Sequence, residues 1–254
     1  MNRANIVVFD SGVGGISVLR HLRRILPKEN FLYFGDDANA PYGTRSTSQV
    51  QELTMAAVER LLQENPVKAL VIACNTATSA AIGLLRQKYP DLIVIGIEPA
   101  LKPAADRFPR GHIGIMATQV TLREQKLMAL MARYGENCTI SRIAAPGLVE
   151  LVEQGLGNTP QAQALLQPVL EPYRGKLDAL VLGCTHYPFA EAVIARILGE
   201  RTLLLDGGEG TARQTRRRLA DAQLLYEGPC SGRVRIEHSG CNPNFEALAR
   251  TLME

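Results

Sequence analysis

The sequence contains no tryptophan and no apolar stretch long enough to cross a membrane. A membrane-spanning helix needs about 20 consecutive apolar residues. The apolar run at residues 6–9 is also too short for the central segment of a secretory signal. The sequence therefore predicts a cytoplasmic protein that does not use a membrane as a partner.

An excess of charge of one sign is missing as well. The 254 residues include 28 lysines and arginines against 25 aspartates and glutamates, which gives a formal net charge of +3. Nucleic-acid-binding domains usually carry a clearly basic surface, so no nucleic-acid partner is expected. The only dense basic run is Arg216-Arg217-Arg218, and its place in a predicted helix at 210–222 favours a solvated face.

Cysteines are few, and none of the five forms a Cys-x-x-Cys pair. That spacing is typical of structural zinc sites, so no metal site is predicted. A chain of this length with 46% apolar residues can bury a core without disulfides. No recognised cofactor-binding motif appears either, and we expect no cofactor.

Two of the cysteines lie in the same sequence pattern. Residues 69–76 read ALVIACNT, and residues 179–186 read ALVLGCTH, with the second cysteine 110 residues after the first. A short apolar run followed by small polar residues predicts a buried strand that ends at a helix start. A repeat this long is a whole domain. The sequence therefore predicts an α/β protein of two similar lobes related by pseudo-two-fold symmetry, each a mainly parallel sheet flanked by helices, with the active site between them.

The repeated thiols suggest a specific chemistry. A thiol at a helix start meets unpaired backbone N–H groups that favour the thiolate. Two such thiols acting on one substrate suit the inversion of a single carbon, because one removes a proton and the other returns a proton to the opposite face. The alternative for each cysteine alone is a small buried apolar side chain. Cys138, Cys230 and Cys241 do not follow predicted strands, and we assign them no chemistry.

The predicted lobes comprise residues 1–97 with 207–254, and residues 98–206. Strands are predicted at 5–9, 31–34, 69–73, 92–97, 113–117, 139–143, 179–182, 203–205 and 233–237. Helices are predicted at 16–26, 47–63, 77–88, 122–134, 146–154, 159–173, 210–222 and 245–253.

Other candidate residues lie near the predicted strand ends. Asp10 precedes a glycine-rich turn at 12–15 whose spacing matches neither the dinucleotide fingerprint nor the P-loop; it can bind an ammonium group or act as a turn acceptor. Residues 41–43 line a pocket or make a turn. His186 can polarise a thiol or bond to backbone.

Two further pairs have ordinary structural alternatives. Thr118 and Thr121 lie near a helix start, where both can act as caps. Glu150 and Glu153 share one face of a short predicted helix, and exposure is the expected state of both.

In this order along the chain, the motifs resemble those of the glutamate racemases within the aspartate/glutamate racemase family. The resemblance covers nearly the whole chain and rests on DSGVGG (10–15), PYG (41–43), CNTA (74–77), VEQG (152–155) and GCTHYP (183–188).

The resemblance implies cofactor-independent racemisation of L-glutamate to D-glutamate for peptidoglycan synthesis, with Cys74 and Cys184 as the acid/base thiols. It implies that Asp10, His186, Glu153 and Asp36 tune proton transfer. The substrate-binding residues that it implies are Asp10, Ser11, Pro41, Tyr42, Gly43, Asn75, Thr76, Thr118, Thr121, Thr185 and His186. It also favours a homodimer.

The sequence departs from the family pattern at Gly207 and Cys241, outside these motifs. It begins almost at the first strand, so we expect no activator-dependent regulation. Three alternatives stay open: an aspartate or related amino-acid racemase, a metal-dependent enzyme that uses Cys184 and His186, and an anion-binding module without catalysis.

Overall fold

The computed structural model describes residues 3–240 and 242–254. Cys241 lies outside the described residues. The chain divides into two units, one formed by Met1–Glu98 with Gly208–Glu254 and the other by Pro99–Gly207. Each unit is built around its own parallel sheet.

Nine strands occur among the described residues. They are β1 (Asn5–Asp10), β2 (Phe31–Gly35), β3 (Val67–Ile72), β4 (Ile93–Gly96), β5 (His112–Ala117), β6 (Thr139–Ala144), β7 (Ala179–Leu182), β8 (Leu203–Asp206) and β9 (Val234–His238). The α-helices of the same residues are α1 (Ile16–Ile25), α2 (Thr47–Glu64), α3 (Asn75–Lys88), α4 (Leu101–Arg107), α5 (Gln119–Arg123), α6 (Gln125–Gly135), α7 (Leu148–Glu153), α8 (Pro160–Leu170), α9 (Glu191–Leu198), α10 (Gly208–Asp221) and α11 (Phe245–Met253).

The sheet of the first unit has the order β4-β3-β1-β2-β9, and every neighbouring pair is parallel. Val8 at the middle of β1 pairs with Tyr33 on one side and Val71 on the other. The residues of β1 after Asn5 are all buried. Burial on both faces explains why this strand reads as a continuous apolar run.

Helices flank this sheet. α1 packs against α10 and α11, and α2 packs against α3. Val7 and Phe9, which point to the same face of β1, share a core with the buried residues of α2 and α3. The first residue before α2, Ser46, forms a reciprocal capping box with Gln49, as expected for this position.

The sheet of the second unit has the order β6-β5-β7-β8 and is also wholly parallel. Written in the reverse direction, its order is β8-β7-β5-β6, which corresponds strand for strand to β4-β3-β1-β2 of the first sheet. The prediction of two similar parallel sheets flanked by helices is confirmed. β9 is an additional edge strand of the first sheet.

Two helix predictions were wrong in detail. The predicted helix at 122–134 is divided into α5 and α6, because Glu124 has an extended backbone with ψ of 132°. The predicted helix at 159–173 ends as α8 at Leu170 and continues only as the 3-10 turn Glu171–Tyr173. Pro172 in that turn has no N–H for a helical hydrogen bond. No described helix is long and apolar enough to span a bilayer.

Candidate active site

Asp10 and Cys74 lie at the carboxyl ends of two adjacent strands of the first unit. Asp10 is the last residue of β1, and the N–H of Ala73 extends the pairing of β3 with β1 by donating to the carbonyl of Phe9 at 2.8 Å. The next residue, Cys74, is therefore placed beside Asp10's strand. Ligands of parallel α/β sheets characteristically bind at this edge.

Cys74 is the N-cap of α3 and is 6% exposed. Its Sγ accepts from the N–H of Ala77 at 3.5 Å and lies 3.6 Å from the Oγ of Ser11. The N-terminal end of a helix stabilises negative charge. The surroundings of Cys74 thus support a thiolate, and the predicted strand-to-helix setting of this cysteine is observed.

Asp10 is completely buried, and its Oδ1 accepts from the N–H of Gly12 at 3.0 Å. It is therefore a turn acceptor at the strand end. Gly15 makes this packing possible, because a Cβ at that position would lie 2.6 Å from the Cβ of Asp10.

The first turn of α3 presents two further predicted residues. Asn75 and Thr76 are both buried. Within the described part of the chain, the Oδ1 of Asn75 has no hydrogen-bond partner. A buried acceptor without a partner costs stability, so this atom is available to a ligand with a donor group.

The loop after β2 holds Asp36 in a network of its own. The Asp36 carboxylate, almost wholly buried, accepts from the hydroxyl of Tyr42 at 2.5 Å and from the Nδ2 of Asn39 at 3.1 Å. Burial and the adjacent Asp36 raise the pKa of Tyr42, so its hydroxyl remains a donor. Pro41 and Gly43 are half-buried beside it. No motif in the sequence pointed to Asn39.

The second unit repeats the placement of the cysteine. The N–H of Gly183 donates to the carbonyl of Met116 at 2.7 Å, which extends the pairing of β7 with β5 just as Ala73 does in the first unit. Cys184 follows and is 9% exposed. Here the chain enters a 3-10 turn, Tyr187–Ala190, before α9, so the predicted helix start directly after this cysteine was wrong.

Without a helix start beside it, the thiol of Cys184 has the imidazole of His186 as its polar neighbour. Its Nδ1 lies 3.7 Å from the Sγ of Cys184, and its Nε2 lies 2.5 Å from the Oε1 of Glu153. Burial by itself lowers the pKa of His186, but the hydrogen bonds and charges of Cys184 and Glu153 outweigh it and hold that pKa well above its usual value. The imidazole is thus favoured in its charged form, between a thiol and a carboxylate.

The expected exposure of Glu153 was wrong, because its side chain is only 21% exposed and is bonded to His186. Glu150 is exposed, as expected. Sequence reasoning gave no role to Tyr187, whose pKa is raised well above its usual value by burial and by the charges of Cys184 and Glu150. Its only sequence signal was its position in the GCTHYP motif.

The remaining predicted residues lie at the same edge of the second sheet. Thr118 directly follows β5, the strand that pairs with β7. It caps α5 by accepting from the N–H of Thr121 at 3.3 Å, which is the ordinary role considered for it. Thr121 and Thr185 are both buried.

The described residues contain no group of three or more histidine, cysteine, aspartate or glutamate side chains arranged to hold a metal ion. The metal-dependent alternative is therefore left with the pair Cys184 and His186.

Comparison with known proteins shows the family of the chain. Residues 6–215 match the model of the family described as Asp/Glu/Hydantoin racemase. The chain is 48% identical over 250 residues to the glutamate racemase of Clostridium acetobutylicum, covering 98% of this chain and 97% of that relative.

Two crystal structures are similar over nearly the whole chain. One is a glutamate racemase isoform from Bacillus anthracis, with a TM-score of 0.88 and 33% identity, covering 99% of this chain and 94% of that one. The other is Escherichia coli glutamate racemase in complex with L-glutamate and the activator UDP-MurNAc-ala, with a TM-score of 0.86 and 33% identity, covering 98% and 94%. With a family match across most of its length and relatives of this similarity, the chain belongs to the Asp/Glu/Hydantoin racemase family.

Proposed function

We propose that this protein interconverts L-glutamate and D-glutamate without a cofactor, with Cys74 and Cys184 as its two acid/base groups. The observation that carries the proposal is the equivalent placement of the two cysteines, each at the carboxyl end of a strand paired with the first strand of its unit. Glutamate is favoured over aspartate because the relatives described above are glutamate racemases. D-glutamate is the form used in peptidoglycan, so a role in cell-wall synthesis follows.

The reaction moves one proton off the α-carbon and one proton onto it. One cysteine, as thiolate, takes the α-proton and becomes a thiol, leaving the electron pair on the α-carbon. The other cysteine, as thiol, gives its proton to the opposite face and becomes a thiolate. The enzyme then holds the protonation state that starts the reverse reaction. Each thiol is therefore base in one direction and acid in the other.

The surroundings of each thiol supply what its thiolate state needs. The Cys74 thiolate is stabilised by the N–H of Ala77 and by Ser11. The Cys184 thiolate is stabilised by the charged His186. Glu153 keeps that histidine charged by bonding to its second nitrogen.

The substrate itself has one ammonium and two carboxylate groups to be bound. The partnerless Oδ1 of Asn75 and the carboxylate of Asp10 are acceptors suited to the ammonium group. The donors suited to the carboxylates are the side chains of Ser11, Thr76, Thr118, Thr121 and Thr185 and the backbone N–H groups of Tyr42 and Gly43. Pro41 has no N–H and only borders the substrate. A homodimer and a cytoplasmic location complete the proposal, and light scattering and cell fractionation test them.

The test follows L-glutamate by NMR in deuterated water with purified protein and no added cofactor. In a two-base reaction the first D-glutamate formed carries deuterium at the α-carbon, while the remaining L-glutamate keeps its proton, because the donating thiol exchanges with solvent. Cys74→Ser and Cys184→Ser should each lower the rate by at least about a hundredfold. Cys230→Ser, at an exposed cysteine, is the matched control and should react like the unchanged protein.

Three results would contradict the proposal. Racemisation of aspartate in preference to glutamate would reassign the substrate. Loss of activity with a chelator would favour the metal-dependent alternative. Full activity of either serine variant would remove that thiol from the reaction and leave the two-thiol mechanism without support.

A further inference from the structure

We propose that His238 and Asp37 form a latch that positions the substrate loop, defined here as residues 36–44, and that both are positioning residues for glutamate binding. The inference rests on the proposed function, in which residues 41–43 border the substrate. Neither His238 nor Asp37 belongs to the motifs of the family resemblance. What assigns them this role is a set of contacts between two segments about 200 residues apart in the chain.

The carboxylate of Asp37 is the centre of the latch. It accepts from the backbone N–H of Gly240 at 2.6 Å, and its two oxygens lie 3.2 and 3.3 Å from the Nδ1 of His238. A carboxylate has no proton to donate, so the Nδ1 of His238 carries the hydrogen in this contact. The Asp37 side chain is only 10% exposed, and that of His238 is 24% exposed, so water competes weakly for these bonds.

His238 is itself held firmly. It is the last residue of β9 and pairs with Gly35, the residue immediately before the substrate loop. Its ring stacks on Phe245, the first residue of α11, with ring centroids 4.6 Å apart and an angle of 11° between the planes. The histidine is therefore a fixed point against which the loop is oriented.

The backbone beyond β9 closes around the same carboxylate. Ser239 accepts from the N–H of Ala38 at 3.1 Å through its hydroxyl, and its own N–H donates to the carbonyl of Gly35 at 3.0 Å. Gly240 has to be small here, because a Cβ would lie 2.4 Å from an Asp37 carboxylate oxygen. The last residue of the strand and the two residues that follow it thus contact the start of the loop.

The other side of the loop contacts Asp10, a proposed substrate-binding residue. The N–H of Asp36 donates to the carbonyl of Asp10 at 2.9 Å, and the Asp36 carboxylate holds Tyr42. Because Asp36 and Asp37 are consecutive, their side chains point to different surroundings, one to Tyr42 and one to His238. Fixing Asp37 therefore fixes the direction in which Asp36 and Tyr42 are presented.

Loss of the latch should reduce the fraction of molecules whose loop is ready to bind. The apparent dissociation constant of a ligand rises in inverse proportion to that fraction. We expect His238→Ala to leave about one tenth of the molecules with a loop that is ready to bind. The KM for both glutamate enantiomers should then rise by about tenfold. The change in kcat should stay within about twofold, because the thiols and their own contacts are untouched.

The chain offers matched controls. His238→Asn places an amide nitrogen near the position of Nδ1 and should restore most of the affinity, whereas His238→Gln places it near Nε2 and should not. Asp37→Ala should raise KM as His238→Ala does, and the double variant should be no worse than either single one. Glu237→Gln, on the same strand, removes an ion pair with Arg235 without touching Asp37 and should leave KM unchanged.

Hydrogen exchange gives a readout independent of activity. Peptides covering residues 36–44 should exchange faster in His238→Ala, while peptides of β1 and β3 should not. If the unchanged protein does not racemise glutamate, the proposed function fails. If it does, and His238→Ala keeps its KM and its loop exchange, the latch is refuted. A loss confined to kcat that asparagine does not restore would likewise overturn it.

Discussion

The two proposed catalytic cysteines have different neighbours. Cys74 meets a helix N-terminus and a serine hydroxyl. Cys184 precedes a 3-10 turn and relies on a charged histidine, which in turn depends on a carboxylate. Backbone N–H groups do not titrate, whereas an imidazole does. The N–H bond to the Sγ of Cys74 therefore does not depend on pH, whereas the positive charge beside Cys184 is present only while His186 stays protonated.

This difference predicts the effect of Glu153→Gln. Glu153 raises the pKa of His186, so its removal lowers that pKa, and the charged imidazole is lost at a lower pH. We expect the alkaline limb of kcat/KM to move to lower pH. At a pH above both limbs, kcat/KM should fall by about tenfold for each pKa unit that His186 loses, because the rate there follows the charged fraction of the imidazole. Below the shifted pKa the variant should recover. Rate profiles from pH 6 to 10 in both directions measure this.

The control for that substitution is Glu150→Gln, an exposed carboxylate on the same helix that has no contact with His186 among those described. Its alkaline limb should coincide with that of the unchanged protein. Equal shifts in the two variants would mean that general surface charge, and not the Glu153–His186 bond, sets the profile.

The functional groups lie at strand ends and helix starts. Where two such segments pack closely, a glycine is needed because a Cβ would collide with the neighbouring side chain. The turn between β1 and α1 lies over Asp10, and Gly15 is the residue in contact with it. In α3 the situation is the opposite. Gly83 is exposed in the helix, and a Cβ there would meet nothing within 4 Å.

We therefore expect opposite effects from the same substitution at these two glycines. Gly15→Ala places a methyl group 2.6 Å from the Cβ of Asp10, and the backbone must shift. We expect a loss of about 1–3 kcal/mol in the free energy of unfolding, as for other overpacked sites, and at least a tenfold loss of kcat/KM. Gly83→Ala should add about 0.5–1 kcal/mol of stability without a change in activity. Urea unfolding and initial rates give both quantities.

Equal stability of the two alanine variants would show that the turn adjusts to the methyl group. A stable Gly15→Ala protein with normal kcat/KM would mean that the position of Asp10 is not critical.

The sequence predicts most elements, because strands buried on both faces read as apolar runs and helix starts carry recognisable caps such as Ser46. It does not predict the break at Glu124, where neither glycine nor proline occurs. Local spacing also cannot show that Glu153 meets His186, 33 residues away, or that Asp37 meets His238. Such pairs depend on which strand ends the fold brings together.

The first unit is discontinuous, since the chain leaves it after Glu98 and re-enters it at Gly208. A buried ion pair of the first portion lies where the returning chain packs against it. The Nζ of Lys68 lies 2.5 Å from the Oε2 of Glu29, and both side chains are at most 3% exposed. The same groups hold the returning chain, because Lys68 donates to the carbonyl of Leu224 at 2.8 Å and Glu29 accepts from the N–H of Tyr226 at 2.9 Å.

Removing one partner of this pair should therefore destabilise the whole first unit. Lys68→Met leaves the Glu29 carboxylate buried without its cation and frees the carbonyl of Leu224, which costs about 3–5 kcal/mol for a buried pair. The double variant Lys68→Met with Glu29→Gln removes the unpaired charge but keeps an acceptor for Tyr226, so it should be more stable than Lys68→Met alone.

Lys88→Met breaks an exposed pair with Glu59 and should leave stability unchanged. Urea unfolding followed by circular dichroism measures all three, with the chain lacking tryptophan as a fluorescent probe. If Lys68→Met and Lys88→Met unfold at the same urea concentration, the buried pair does not stabilise the packing of the returning chain against the first portion of the unit.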